Sequence, residues 1–228
     1  MGITEIGCMG VKPGLDIMNE TTQEGQVLTG AWKAVTSALG GPHQVYWGLE
    51  VEDTSKLWAF FNWDSIADHE NFAKSLGGEA VQELPTILTH GEFTKHIAVT
   101  PSPLLALLAP VTEIMLAYFS SDVSQAQKEA ASANAQEFSE KALGKCSDVR
   151  GVSFGWGVEN DFPVKGGKEG QKGSVLAAFI GWTSIDAHMK FRDTEAFKDN
   201  VGLLRSMEGA VKLTMFHVTC QSLKKTTE

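Results

Sequence analysis

Apolar and polar positions along this chain switch between two periods in a fixed order, and they do so twice. Ile3 to Met9 is short and half apolar, which predicts a first strand. Val27, Leu28, Ala31, Trp32, Val35, Ala38 and Leu39 then recur at helical spacing, and Gly40-Gly41-Pro42 supplies a left-handed stop followed by a breaker. These positions predict one amphipathic helix over roughly 20 to 39. From Gln44 to Glu52 the pattern alternates, with Val45, Trp47, Leu49 and Val51 on one side. The polar run Glu52-Asp53-Thr54-Ser55-Lys56 turns the chain into Leu57 to Trp63, a strand apolar on both faces and so covered on both. Asp64 or Ser65 caps a second helix, and Leu88 to Val99 reads as a closing strand. The order is β-α-β-β-α-β.

The second half repeats this order, with Val111 to Phe119, a helix from about Val123 to Leu143, strands near Gly151 to Glu159 and Ser174 to Trp182, a helix from Ser184, and Val211 to Cys220. Specific residues recur as well. W-x-S-I-x-x-H-x-x-F is read from Trp63 to Phe72 and again from Trp182 to Phe191, Trp47-Gly48-Leu49-Glu50 is echoed by Trp156-Gly157-Val158-Glu159, and Thr4-Glu5-Ile6 by Thr112-Glu113-Ile114. The offset is 108 or 109 residues for the earlier matches and 119 for the last, so the second copy carries an insertion of 10 residues. A repeat of roughly 100 residues is a fold-sized body rather than a solenoid turn. The expected domains are 1–100 and 111–228, joined by a connector at 101–110 whose prolines favour an extended path and whose leucines pack on the body. Each half is an α+β split unit of the ferredoxin-like kind, whose antiparallel sheet covers one face with its own helices. The other face needs a partner, which the second copy supplies in cis, so the expected architecture is an intramolecular dimeric α+β barrel.

Composition narrows the function more than it names it. A net charge of −9 with only small basic clusters excludes a phosphate-binding surface of the nucleic-acid kind. Cys8, Cys146 and Cys220 are far apart and in no C-x-x-C spacing, which suggests reduced thiols rather than a disulfide framework or a zinc site. No apolar run approaches the length of a membrane span, and the first residues lack a signal-peptide pattern, so a cytoplasmic protein is expected. There is no G-x-S-x-G elbow, phosphate loop or dinucleotide fingerprint. Gly155-Trp156-Gly157 lies inside a strand and is best explained by close approach of another backbone or side chain.

The W-x-S-x-x-x-H pattern at the junction of third strand and second helix, within β-α-β-β-α-β units, resembles the dimeric α+β barrel superfamily, most closely its antibiotic-biosynthesis-monooxygenase-like branch. That superfamily usually pairs two identical subunits, so this chain resembles a tandem, single-chain form. The resemblance implies a repertoire of cofactor-free oxygenases, polyketide cyclases, haem-dependent enzymes and stress-response proteins. It further implies a role for Asn62 beside an aromatic wall, where cofactor-free oxygenases of this fold place Asn and Trp near the ring they oxidise.

Among the residues themselves, His69 and His188 stand at i+3 from an isoleucine and i−3 from a phenylalanine, which turns the imidazole toward an apolar face. There it either relays a proton or fixes the strand-to-helix corner. Trp63 and Trp182 either fill that corner or wall a pocket. His96 and His217 occupy the last strands but align only with a one-residue slip, which reverses the face and argues against equivalent roles. The expected catalytic residues are therefore Asn62, His69 and His96, and the expected substrate-binding residues are Tyr46, Trp58, Phe60, Trp63, Trp182, His188 and His217. The leading expectation is an enzyme of specialised metabolism that needs no cofactor and no metal. It would hold a bulky apolar aromatic or polyketide-like molecule between sheet and helices, catalysing cyclisation, isomerisation or oxygenation. The rivals are a non-catalytic ligand-binding or stress-response barrel and a haem-binding or haem-degrading protein. No membrane or nucleic-acid partner is expected, and association into a homodimer stays open.

Overall fold

Side-chain hydroxyls set where the helices begin. In the computed structural model, which describes residues 2–101 and 104–225, the Thr22 hydroxyl accepts the Gly25 N–H and starts a helix at Gln23 rather than at 20. Residues before it are held in turns, with Asn19 donating to Asp16 and the Thr22 hydroxyl donating to the Asn19 carbonyl. Each such cap satisfies one of the four N–H groups that a helix start leaves without partners.

The first unit comprises Met1–His96 with Thr219–Glu228. Its elements run β1 (Ile3–Val11), α1 (Gln23–Ser37), β2 (Gln44–Leu49), β3 (Lys56–Trp63), α2 (Ile66–Phe72), a π turn at Ala73–Gly77, α3 (Gly78–Ala80) and β4 (Leu88–Thr100), which reaches the unit's end at His96. The hydrogen-bonded order β2-β3-β1-β4 is that of a ferredoxin-like sheet. Alternation along β3 sends Leu57, Ala59, Phe61 and Trp63 to the helix side, where they pack with Leu28, Trp32, Val35 and Phe72. Burying side chains of this size stabilises the unit by roughly 1.5–3 kcal/mol each.

The second unit, Ile97–Val218, runs α4 (Leu104–Leu107), β5 (Val111–Phe119), α5 (Gln125–Lys141), β6 (Val149–Gly157), β7 (Phe162–Pro163), β8 (Lys172–Trp182), α6 (Ile185–Phe191), α7 (Glu195–Asn200), α8 (Gly202–Arg205) and β9 (Ala210–Val218). The order β6-β8-β5-β9 repeats the first unit, and the end of β4, Ile97–Thr100, adds to the free side of β6. Both glycines of Gly155-Trp156-Gly157 face a close neighbour: a Cβ would strike the Ala98 carbonyl at the first and the Phe162 ring at the second. Phe162, inside the inserted segment, is thereby buried.

Two boundaries differ from the expected ones. Part of the expected connector is the helix α4, because Ala106 and Leu107 bury themselves by turning rather than by extending. Ser102 and Pro103 lie outside the described residues. The chain after Val218 forms a further strand, β10 (Gln221–Lys224), paired with β2, so the tail belongs to the first unit rather than to a repeat running to 228. No helix among the described residues is long and apolar enough to cross a membrane.

Candidate functional site

The repeated motif closes a buried network of four side chains in each unit. In the first, Trp63 at the end of β3 donates its indole N–H to Glu5 Oε2 at 2.7 Å. Ser65 caps α2, which sets His69 one turn on, with Nε2 3.5 Å from the same Glu5 oxygen. His69 Nδ1 lies 2.8 Å from His96 Nε2 on β4. Phe72, the last residue of the motif, packs on Trp63 with ring centroids 5.5 Å apart. The repeated residues are thereby accounted for one by one, since the indole binds the carboxylate, the serine starts the helix, the imidazole meets a second imidazole and the phenyl ring packs on the indole.

The second unit repeats the network with Trp182 Nε1 to Glu113 Oε2 at 3.1 Å, His188 Nε2 to the same oxygen at 3.4 Å, and His188 Nδ1 to His217 Nε2 at 2.8 Å. His96 and His217 are therefore equivalents, contrary to the sequence expectation. In sequence, 27 residues separate the two histidines of the first unit and 29 those of the second. Those separations run through helices and turns that absorb the difference, and the strand register decides the face, with His217 directly opposite Glu113.

Burial governs the chemistry of Glu5. Desolvation pushes its carboxyl from 4.5 up to about 7, against the opposing pull of the Trp63 N–H and the charge of His96. A carboxyl near neutrality beside two imidazoles can hold, give or pass a proton, since His69 has one nitrogen toward Glu5 and the other toward His96. Both contacts to Glu5 fall on Oε2, which leaves Oε1 to meet a molecule beside it.

Such a space exists. A cavity of about 320 Å³ lies against Glu5, Trp63 and His69 on the network side. Trp32 and Phe61, in edge contact at 5.2 Å, and Gly78 form its other walls. Its lining is largely apolar with a few converging polar groups, the usual character of a small-molecule site.

Of the expected site residues, the structure brings together Trp63, His69 and His96, and separately Trp182, His188 and His217. It places Trp58, Phe60 and Asn62 on the opposite face of β3, away from the cavity. Trp58 there donates to the buried Glu50 carboxylate at 3.0 Å. Tyr46 belongs to that face too, where burial pushes its phenol well above the ordinary range and Asn62 partly offsets the rise. The residues missed by sequence reasoning are Glu5 and Glu113. Their signal was present in the repeated Thr-Glu-Ile, a carboxylate standing twice in an apolar strand.

No protein-family model and no curated protein sequence matches the chain. Solved structures do. A candidate monooxygenase from Fusobacterium nucleatum is 12% identical with a TM-score of 0.65, over 98% of this chain and 94% of that one. An anthrone oxidase-like protein is 17% identical with a TM-score of 0.65, over 98% and 93%. A chlorite dismutase from Candidatus Nitrospira defluvii is 12% identical with a TM-score of 0.53, over 96% and 91%. At these identities the likeness carries the fold alone: over nearly the whole chain it is the fold of those proteins, with two ferredoxin-like units on one polypeptide.

Proposed function

We propose that the first unit is the working half of a cofactor-free oxygenase of specialised metabolism, acting on an enolisable aromatic molecule of two or three fused rings. The observation that carries this reading is the contact of a buried carboxyl, poised near neutrality, with a largely apolar cavity. The names of two structural neighbours, a candidate monooxygenase and an anthrone oxidase-like protein, support the direction.

In this reading Trp32, Phe61 and Trp63 fix the ring system, and Glu5 Oε1 takes a proton from the carbon or hydroxyl to be activated. His69 and His96 spread the acquired proton away from the reacting centre. The resulting enolate passes an electron to O₂, and the radical pair collapses to a hydroperoxide. Loss of water turns a ring CH₂ into a carbonyl, so one O₂ yields one ketone and one H₂O. The protein's contribution is removal of the proton and exclusion of water from the enolate. Isomerisation or cyclisation would begin from the same enolate and consume no O₂. Haem fits this site poorly, because an axial imidazole needs a nitrogen directed at iron and both His69 nitrogens are directed at Glu5 and His96.

Anthrone supplied under air to the purified protein should give anthraquinone with one O₂ consumed per product, and His69→Asn should lower kcat by roughly 100-fold. Product formed without O₂ uptake would replace oxygenation with isomerisation. Binding without any turnover would leave a ligand-binding barrel, and a Soret band on adding haemin would favour the haem reading.

A further inference from the structure

The two units carry the same polar network but differ in what stands next to it, and the difference comes down to a few side chains. Counting from the shared motif, Phe72 corresponds to Phe191 and Gly78 to Phe197 at one offset of 119. On the long helices the buried positions Leu28, Trp32 and Val35 correspond to Ala131, Ala135 and Phe138 at an offset of 103. Val35 and Gly78, both small, line the first unit's cavity. Their counterparts Phe138 and Phe197 meet each other edge to face, with centroids 6.1 Å apart at 80°. Phe197 also stands edge to face on Phe191, at 5.5 Å and 74°, and Phe191 packs on Trp182 at 5.2 Å. By this correspondence the second unit carries two aromatic rings at the positions where the first has two small residues. Bulk at Trp32 opposite Ala135 moves the other way and builds the cavity's far wall, where Trp32 takes the edge of Phe61.

We propose that Phe197 is a built-in occupant of the second unit's copy of the cavity, that its ring marks where an aromatic ring of the ligand lies in the first unit, and that Gly78 keeps that place open. This rests on reading the first unit's cavity as a ligand site. The ligand class follows from the surroundings. A ring seated like Phe197 would present an edge to Phe72, an arrangement attractive for aromatic pairs, and would carry its polar substituent toward Glu5. An aromatic alcohol or its keto tautomer meets both demands. Gly78 lines the cavity and a Cβ built there meets nothing within 4 Å, so the position admits a larger side chain without a clash.

The test is titration calorimetry with 2-naphthol, a two-ring aromatic alcohol, on the full chain, with thermal melting as the check on folding. Wild type should bind one equivalent. Phe197→Gly should bind two, and Gly78→Phe should bind none or bind at least roughly tenfold more weakly. Phe197→Ala and Gly78→Leu, which change less volume, should shift binding in the same directions. One equivalent in wild type and in both folded Phe197 variants overturns the inference while leaving the first-unit site intact. No binding in wild type but one equivalent in Phe197→Gly removes the first-unit reading and overturns with it the inference that rests on it. No binding by any variant overturns both. If neither Phe197 variant folds, unchanged affinity in Gly78→Phe is sufficient to overturn the inference.

Discussion

The two polar networks hold nearly the same distances and differ in access. Glu5 and His69 retain 10% and 18% of their side-chain exposure, whereas Glu113 and His188 retain 5% and 7%. The second network has no lesser bonding: indole, carboxylate and two imidazoles meet as they do in the first. The repeated Glu-Trp-His-His set is therefore the device by which this fold pins a strand end to the helix that follows. Any chemistry is added by opening a space beside it. Shared hydrogen bonding identifies the frame, and the unequal packing around it is what distinguishes the half proposed to work.

Separating frame from function in this way has a large measurable consequence. Glu5→Gln keeps an oxygen to accept the Trp63 N–H but removes the proton acceptor, so kcat should fall by about 10²–10⁴. Glu113→Gln makes the same change in the closed copy and should leave kcat within about twofold. Equal losses from the two variants, measured on folded protein, would erase the distinction between the halves.

A smaller effect tests the electrostatic side of the comparison. The folded-state pKa of Glu5 stands at about 7, above the ordinary 4.5. Its protonated form therefore stabilises the fold fully below pH 4.5, and that contribution is lost as pH rises through 7. The stability of wild type relative to Glu5→Gln, from urea unfolding, should decline by about 3 kcal/mol between those limits. A flat difference would mean that the cavity admits enough water to hydrate the carboxylate, and the claim of a poised base would fall with it.

Much of this was legible in the chain beforehand, and what was not has identifiable causes. Val111 to Phe119 forms a strand with the expected ends, and Ser65 and Ser184 cap the helices that the motif predicts. The motif histidines were also visible as candidates, because a polar residue on an apolar helix face stands out against helical periodicity. Glu5 did not stand out, since its importance depends on Trp63 58 residues away meeting it on the same sheet face. The pairing of β10 with β2 is likewise a long-range event, joining Gln221–Lys224 to a strand near residue 45, and its short polar sequence carries no strand period of its own. Asn62 drew notice for its neighbour Trp63, but strand alternation sends adjacent side chains to opposite faces and only Trp63 reached the cavity.

The smallest effect concerns the caps, where the halves differ by one carboxylate. Ser65 accepts the Asp68 N–H at 3.2 Å and donates to the Asp68 carboxylate at 2.6 Å, whereas Ser184 accepts the N–H of Ala187, which carries no carboxylate, at 3.0 Å. Replacing either serine by alanine should cost about 1 kcal/mol of stability. The consequences for binding should diverge. From Ser65 the chain runs through α2 and the π turn to Gly78, so loosening its start shifts Phe72 and Gly78, two walls of the cavity. From Ser184 it runs to Phe191, which packs on both Phe197 and Trp182. Ser65→Ala should therefore weaken 2-naphthol binding a few-fold, and Ser184→Ala should leave it unchanged at the same cost in stability, because a helix held by packed rings can lose its cap without moving. Equal weakening by both would show that the second unit's packing is no tighter than the first's, and the contrast between a filled and an open copy would lose its basis.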